Sequence, residues 1–214
     1  MAVVQKAGSA PSRGSDEPDG RRRRSVKSRE AILDALFRLI EAGDLRPSAQ
    51  RVADEAGVGI RSVFRHFDDM DGLYAEMSVR LRERFLPMLG PVDPDLPLEE
   101  RLKEIVACRC RCFEGMAPFK RASNLFRPSS EFLTAEHNQT VLDLRERMIG
   151  ALPEVRDFGA AGLAALELAI SFEAWDRLRA EQGLGTRQTR SVMEFMAMSV
   201  LRAALAGKQK GAGE

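Results

Sequence analysis

Apolar residues in the first quarter of the chain recur at helical spacing. Between Leu33 and Ile40 they lie at i, i+3, i+4 and i+7, which predicts one amphipathic helix. Ser25 or Ser28 can cap its N-terminus, and Gly43 follows its end. The first predicted element is therefore a helix with one buried face.

Two short helices follow, separated by a glycine-rich turn. Ser48 suits the N-cap of a helix that stops at Gly57, and Val52, Ala53 and Ala56 mark its apolar face. Residues 57–59 supply a tight turn, and residues 60–66 are long enough for about two more helical turns. This order of helix, turn and helix predicts a helix-turn-helix unit.

Further helices fill the rest of the chain. Asp69 and Asp71 favour the N-terminus of a helix that runs to about Leu86. Proline or glycine bounds each later segment, which predicts further helices over 98–116, 118–127 and 131–152. Because no segment alternates between apolar and polar residues as a strand does, we expect an all-α protein.

The last two helical segments are too apolar for the surface of a monomer. Twelve of the sixteen residues from Ala160 to Trp175 are apolar, as are eleven of the fourteen from Val192 to Leu205. Helices of this kind are buried on more than one side. A second copy most easily supplies the extra burial, through a four-helix bundle across a two-fold axis, so we predict a homodimer.

Composition narrows the class of protein. Apolar residues make up 44% of the chain and charged residues 30%, which is typical of a folded, water-soluble protein. No apolar run is long enough to cross a bilayer or to form the core of a signal peptide, so we expect neither membrane insertion nor secretion. Three cysteines within five residues cannot form the framework of a disulfide-rich domain. We expect a cytoplasmic protein.

Charge is distributed unevenly. The whole chain carries only +1, but residues 21–67 hold eleven basic and six acidic residues, whereas residues 68–214 hold twenty basic and twenty-three acidic ones. A basic front end on a body that is not basic indicates that the N-terminal part faces a nucleic acid.

Residues 51–67 closely resemble the DNA-binding signature of the TetR family of transcriptional regulators. They contain Ala-x-x-Ala-Gly-Val at 53–58 and an aromatic residue, Phe64, three positions before Phe67. The similarity extends from Ser28 to Leu73. The resemblance implies an N-terminal three-helix helix-turn-helix domain followed by a helical ligand-binding and dimerisation domain. It also implies a dimeric repressor that releases its operator when a small molecule binds.

The expected organisation has four parts. Residues 1–24 form a flexible basic tail, 25–70 the DNA-binding domain, 71–207 the ligand-binding and dimerisation domain, and 208–214 a C-terminal tail. The expected partners are a double-stranded DNA operator, a second copy of the chain, and an apolar or amphipathic small molecule.

Side chains near the start of the second short helix can reach base edges in a major groove. Arg61, Ser62 and Arg65 are of suitable type and position. By resemblance, the flanking residues Ser48, His66, Arg24 and Lys27 hold phosphates. The predicted DNA-binding residues are Arg24, Lys27, Ser48, Arg61, Ser62, Phe64, Arg65 and His66.

Two positions depart from the family pattern. Phe64 stands where the family usually has tyrosine, so a hydroxyl bond to phosphate is missing, and Met70 stands where it usually has lysine. These departures leave an alternative, namely a helical ligand- or partner-binding protein that has lost specific DNA recognition.

Aromatic and methionine residues concentrate in the middle of the body. Most of these side chains are expected to form the hydrophobic core, but a ligand cavity among helices would also be lined by aromatic and methionine residues, together with a few polar groups. The predicted ligand-binding residues are Phe85, Phe119, Asn124, Arg127, Phe172, Glu173 and Trp175. We interpret His137 as a surface or core histidine rather than a ligand contact.

No catalytic motif is present, so we expect no enzymatic activity, and no cofactor or metal is predicted. On a helix Cys108 and Cys112 share a face while Cys110 lies nearly opposite, which disfavours a metal site and favours small buried side chains. A thiol sensor stays open as the alternative.

Overall fold

The computed structural model describes the backbone of residues 17–211 and the side chains of residue 20 and residues 22–207. Over this part the chain forms nine α-helices and no strand, which confirms the all-α prediction. The helices are α1 (Glu17–Glu41), α2 (Ala49–Ala56), α3 (Ile60–His66), α4 (Met70–Phe85), α5 (Leu98–Phe126), α6 (Glu131–Ala151), α7 (Gly159–Ala169), α8 (Phe172–Asp176) and α9 (Thr186–Gly211). None of these helices is both long and apolar enough to span a bilayer.

Helix α1 begins at Glu17, eight residues before the earlier of the two predicted caps, Ser25. The arginine run is therefore helical, and Arg24 donates from Nε to the carbonyl of Gly20 at 3.2 Å. Arginine is a good helix former, and Pro18 is tolerated in a first turn. Hydrophobic periodicity missed this extension because it has no apolar face. The rest of the predicted N-terminal tail, residues 1–16, lies outside the described residues, as do 212–214 of the C-terminal one.

The predicted caps of the helix-turn-helix are confirmed. The Ser48 hydroxyl accepts from the backbone N–H of Arg51 at 3.3 Å, and Asp69 Oδ1 accepts from Gly72 N–H at 2.8 Å. Gly57 ends α2 with φ +65, a left-handed conformation that favours glycine. These local bonds fix where α2, α3 and α4 begin and end.

Helix α5 runs without a break through Pro118, where the sequence predicted two helices. An interior proline costs about 3 kcal/mol because it removes a backbone hydrogen bond and crowds the preceding turn. Burial of the neighbouring Ala117, Phe119 and Ala122 offsets that cost, since each is at most 4% exposed. Tertiary packing overrides the local signal at this position.

The residues from 160 to 175 form two helices rather than one. Helix α7 ends at Ala169, and the Ser171 hydroxyl starts α8 by accepting from Ala174 N–H at 3.1 Å. A serine that caps the following helix breaks a run that is otherwise apolar.

The described residues form two hydrophobic cores, and α5 contributes to both. The first contains residues of α1 to α4 together with Phe119 and Ala122 of α5 and Leu133 of α6. The second is formed by α5 to α9 and is centred on Trp175, Phe113 and the apolar face of α9. Because α5 belongs to both cores, the helix-turn-helix unit is packed directly onto the body formed by α5 to α9.

Candidate DNA interface and ligand cavity

The second helix of the helix-turn-helix, α3, presents its predicted base-reading side chains outward. Arg61 and Arg65 are exposed, and Ser62 is half-buried and accepts from Arg65 Nη2 at 3.3 Å. On the opposite side Val63 and Phe67 are at most 5% exposed. The helix is thus anchored by its apolar face and leaves one polar face accessible.

The residues predicted to contact the DNA backbone lie on α1, at the N-cap of α2 and at the end of α3. Ser48 is exposed, and because its hydroxyl accepts the capping bond, its hydrogen can still be donated to a phosphate. Lys27 and Arg24 are exposed on α1. Phe64 is 45% exposed and offers only an apolar ring at its position.

His66 is half-buried and neutral near neutral pH. Burial lowers the pKa of its imidazole, and the nearby guanidinium groups of Arg65 and Arg29 lower it further. Its Nε2 is buried and has no hydrogen-bond partner among the described residues. A neutral ring can donate a hydrogen bond to phosphate, but it adds no charge.

Arg29 connects α1 to the end of α3 and to α4. Its guanidinium forms a bidentate pair with Glu76 at 2.8 and 2.9 Å, and it lies 4.9 Å from the centre of the Phe67 ring, just after α3. A bidentate pair fixes orientation as well as distance. The position of α3 is therefore tied to that of α4.

A cavity of about 150 Å³ lies between α4, α5, α6 and the α7–α8 turn. Its lining is predominantly apolar. Five of the predicted ligand-binding residues line it, namely Phe85, Asn124, Arg127, Phe172 and Glu173.

The other two predicted ligand-binding residues lie elsewhere. Phe119 is 1% exposed and packs at 4.8 Å against Phe37 in the DNA-binding core, which it shares because α5 crosses both cores. Trp175 lies behind the cavity wall, with ring centres 5.6 Å from Phe172 and 5.9 Å from Phe113. Neither side chain lines the cavity.

Sequence reasoning missed several polar lining residues, among them Arg109, Lys120 and His137. The signal that could have found the first two is a basic residue within an apolar face of α5. Lys120 Nζ lies 2.7 Å from His137 Nδ1, so His137, predicted as a surface or core residue, lines the cavity. Burial and the adjacent Lys120 lower the pKa of the His137 ring to about 4, and its ring is neutral near neutral pH.

Arg109 is 6% exposed and donates to two carbonyls, that of Ile170 at 3.1 Å and that of Leu144 at 2.7 Å. Burial lowers the pKa of its guanidinium to about 10, so it still carries its proton at neutral pH. It ties α5 to α6 and to the end of α7.

The three cysteines are free thiols. Burial raises the pKa of Cys110 and of Cys112 to about 11, which disfavours the reactive thiolate. Cys108 is half-buried and lies 3.0 Å from the carbonyl of Met88. Within the described part of the chain, no group of three or more His, Cys, Asp or Glu side chains is placed to hold a metal ion.

Helices α7 and α9 present an apolar face to solvent. Phe195 on α9 is 73% exposed and Leu168 on α7 is 65% exposed. Ala161, Ala164 and Ala165 are also exposed, at helical spacing with Leu168. Large exposed apolar side chains on neighbouring helices are typical of an interaction surface.

Comparisons with known proteins agree with this architecture. Residues 32–77 match the sequence model of the bacterial regulatory proteins of the tetR family. No curated protein matches the sequence. Two solved structures are similar over 82% of the chain, a transcriptional regulator from Rhodococcus sp. Rha1 and a TetR transcription regulator from Haloarcula marismortui.

The Rhodococcus regulator has a TM-score of 0.64 at 20% identity, with 96% of its own chain covered. The Haloarcula regulator has a TM-score of 0.61 at 22% identity, with 97% covered. At these identities the likeness shows the fold, and the sequence match at residues 32–77 adds the family's DNA-binding unit. The chain thus carries a segment that matches the DNA-binding unit of the tetR family, within a fold similar to that of these two solved regulators.

Proposed function

We propose that this protein is a dimeric, ligand-responsive transcriptional repressor that reads a palindromic operator with α3. The observation that carries the proposal is the exposed polar face of α3, with Arg61, Ser62 and Arg65 outward and Val63 and Phe67 buried behind them. Arginine bonds bidentately to guanine in the major groove, and serine bonds to several base edges.

The exposed apolar face of α7 and α9 supports the dimer. A second copy would bury Phe195 and Leu168 in a four-helix bundle across a two-fold axis. Two symmetric recognition helices then require a palindromic operator, with half-sites about 34–36 Å apart in dimeric helix-turn-helix proteins.

Helix α4 is the proposed link between ligand and DNA. Ser78, Leu81, Arg82 and Phe85 line the cavity, whereas Glu76 holds Arg29 beside the end of α3. A ligand that favours one position of α4 changes the separation of the two recognition helices. It can shift DNA affinity only by its differential binding to the two states, typically about 1–3 kcal/mol.

The test is selection of bound duplexes from a random library, followed by titration of the selected site and of a scrambled duplex over a range of salt concentrations. We expect a palindromic site bound about 10³-fold or more tighter than the scrambled duplex at physiological salt. Equal weak binding to both would replace this proposal with that of a ligand- or partner-binding protein without specific DNA recognition. The double variant Arg61→Ala/Arg65→Ala is the control, because it keeps the fold and removes the base-reading side chains.

A further inference from the structure

The polar residues of the cavity are not distributed evenly along α5. Lys120, Asn124 and Arg127 lie at i, i+4 and i+7, so they share one face over the last turns of the helix. Phe113 and Met116 continue the same face toward its middle. With a rise of about 1.5 Å per residue, Phe113 lies roughly 10 Å along the helix from Lys120. One end of the cavity is thus polar, and the part beside Phe113 and Met116 is apolar.

The polar end holds two basic side chains, Arg127 and Lys120, that form no ion pair among the described residues. Arg127 Nη1 is buried and has no hydrogen-bond partner among the described residues. Lys120 contacts the neutral His137 ring and forms no ion pair within that part of the chain. Burial lowers the pKa of Lys120, and the nearby carboxylates of Glu173 and Glu136 offset only part of that effect.

The acidic residues of the lining are engaged elsewhere or exposed. Glu136 pairs with Arg82 at 3.3 Å, and Glu167 pairs with Arg145 at 2.8 Å. Glu173 is exposed and forms no ion pair among the described residues, although its carboxylate is near enough to raise the pKa values of Lys120 and His137. Five basic residues line the cavity against three acidic ones.

We propose that the effector of this regulator is an amphipathic carboxylate, with its head group on Arg127 and Lys120 and its apolar body along Phe113, Phe85 and Phe172. A buried cation without a partner is unfavourable, and a bound carboxylate supplies the missing counter-charge. The apolar stretch of the cavity matches an acyl chain or an aryl body. This inference rests on the proposed function, since it names the ligand class of the same cavity.

The head-group site adjoins the DNA-binding unit. Phe126, next to Arg127, packs against Tyr74 with ring centres 4.2 Å apart and lies under the guanidinium of Arg46 at 5.2 Å. Tyr74 in turn donates from its hydroxyl to the carbonyl of Leu45, at 3.2 Å. An anion at Arg127 therefore acts beside the loop that leads into Ser48 and α2.

Probes that differ only in the head group test the inference. Hexanoate, decanoate and tetradecanoate are compared with methyl decanoate and with decyltrimethylammonium. Trp175, the only tryptophan, packs on two lining residues, so its fluorescence reports binding, together with thermal stabilisation. We expect at least one carboxylate to bind about 10-fold or more tighter than the ester, and the ammonium compound not to bind.

Arg127→Met is the decisive variant. It should weaken decanoate binding by about 10- to 100-fold, the range spanned by charge-assisted hydrogen bonds, and bring it to the level of the ester. The melting temperature of the ligand-free protein should stay the same or rise, because a partly buried unpaired charge is removed. Arg111→Met, at an exposed position of the same helix, is the matched control and should leave binding unchanged.

Equal binding of the ester and the carboxylate, binding of the ammonium compound, unchanged binding by Arg127→Met, or no binding by any carboxylate would each overturn the inference. Operator binding is measured separately. Decanoate that binds through Arg127 without releasing operator supports the anion site and contradicts the proposed coupling. If neutral compounds release the operator and carboxylates do not, the proposal of a ligand-responsive regulator stands and the proposed carboxylate site is wrong.

Discussion

At the scale of single residues, surroundings decide what each charged side chain can do. Arg61 is exposed on α3 and is available to a base, whereas Arg109 has the same guanidinium buried against two carbonyls and serves as a tie between helices. His66 and His137 are both kept neutral by burial and by neighbouring cations. Residue type alone does not separate these roles.

Arg61→Ala and Lys27→Ala should affect DNA binding differently. The first should weaken operator binding by about 1–3 kcal/mol and reduce sequence preference at one base pair, because it removes a base contact. The second should weaken binding to all duplexes alike, because it removes a phosphate contact. It should also reduce the slope of the logarithm of the binding constant against the logarithm of the salt concentration by about 1. Titrations against operator and scrambled duplex at several salt concentrations measure both. A uniform loss in both variants would contradict the assignment.

His137 makes stability depend on pH. Its pKa falls from the ordinary 6.5 to about 4 in the folded protein, so between these values the unfolded chain binds more protons than the folded one. The free energy of unfolding should therefore decrease as the pH is lowered from 6.5 to about 4. His137→Gln, which retains an acceptor for Lys120, should show a smaller decrease in urea denaturation over this window. Parallel pH curves for the two proteins would rule out this role.

At the scale of elements, α4 and α5 connect the helix-turn-helix unit to the helices around the cavity. Helix α5 contributes to both cores, and α4 lines the cavity while Glu76 and Asp71 tie it to α1 and α6. Ser130 donates to Asp71 at 2.8 Å, at the end of α4 nearest the helix-turn-helix. These contacts support the proposed link between α4 and α3.

Glu76→Gln tests this connection. The pair with Arg29 is partly exposed, so its loss should cost about 1 kcal/mol of stability or less. Operator affinity should fall several-fold, because the end of α3 is no longer held by Arg29. Glu99→Gln breaks a similar bidentate pair with Arg202, at 2.9 Å, between α5 and α9, and is the matched control. Denaturation of both variants measures their stability, and operator titration measures their DNA affinity. Equal losses of affinity in the two variants would show that the pair of Arg29 with Glu76 has no special role in DNA binding.

At the scale of the whole molecule, the apolar face of α7 and α9 has no partner among the residues that the structure describes. Phe195 and Leu168 project from it, whereas Leu201 on the same helix α9 is fully buried in the body. Substitution of Leu201 would therefore disrupt the fold and reports nothing on association. Phe195 is the position that tests the dimer.

Phe195→Glu should convert a dimer into a monomer, because it would place an unpaired charge in the interface at a cost of several kcal/mol. Sedimentation at micromolar concentration measures the change, and circular dichroism shows whether the fold is kept. Leu142→Glu, a similarly exposed apolar position on α6, should leave the dimer intact. A wild-type protein that sediments as a monomer would remove both the interface and the expected palindromic operator.

Local chemistry made much of this molecule predictable from its sequence. Ser48, Gly57 and Asp69 set the ends of their helices through bonds to residues three or four positions away, and such bonds need no tertiary structure. The spacing of apolar residues identified the buried faces of α1 and α3 for the same reason. The ends of α2, α3 and α4 accordingly lie close to their predicted positions.

Contacts between distant segments decided the rest. The helix through Pro118 persists because buried neighbours in both cores hold it, although the local signal favoured a break. Phe119 lies on α5 and Arg127 caps the C-terminus of that helix, yet the first packs against α1 and the second lines the cavity. The pairing of Lys120 with His137, 17 residues apart, exists only once α5 and α6 are packed together. The charge of the cavity is therefore a property of the tertiary structure, because it depends on which side chains the folded helices bring together and remove from water.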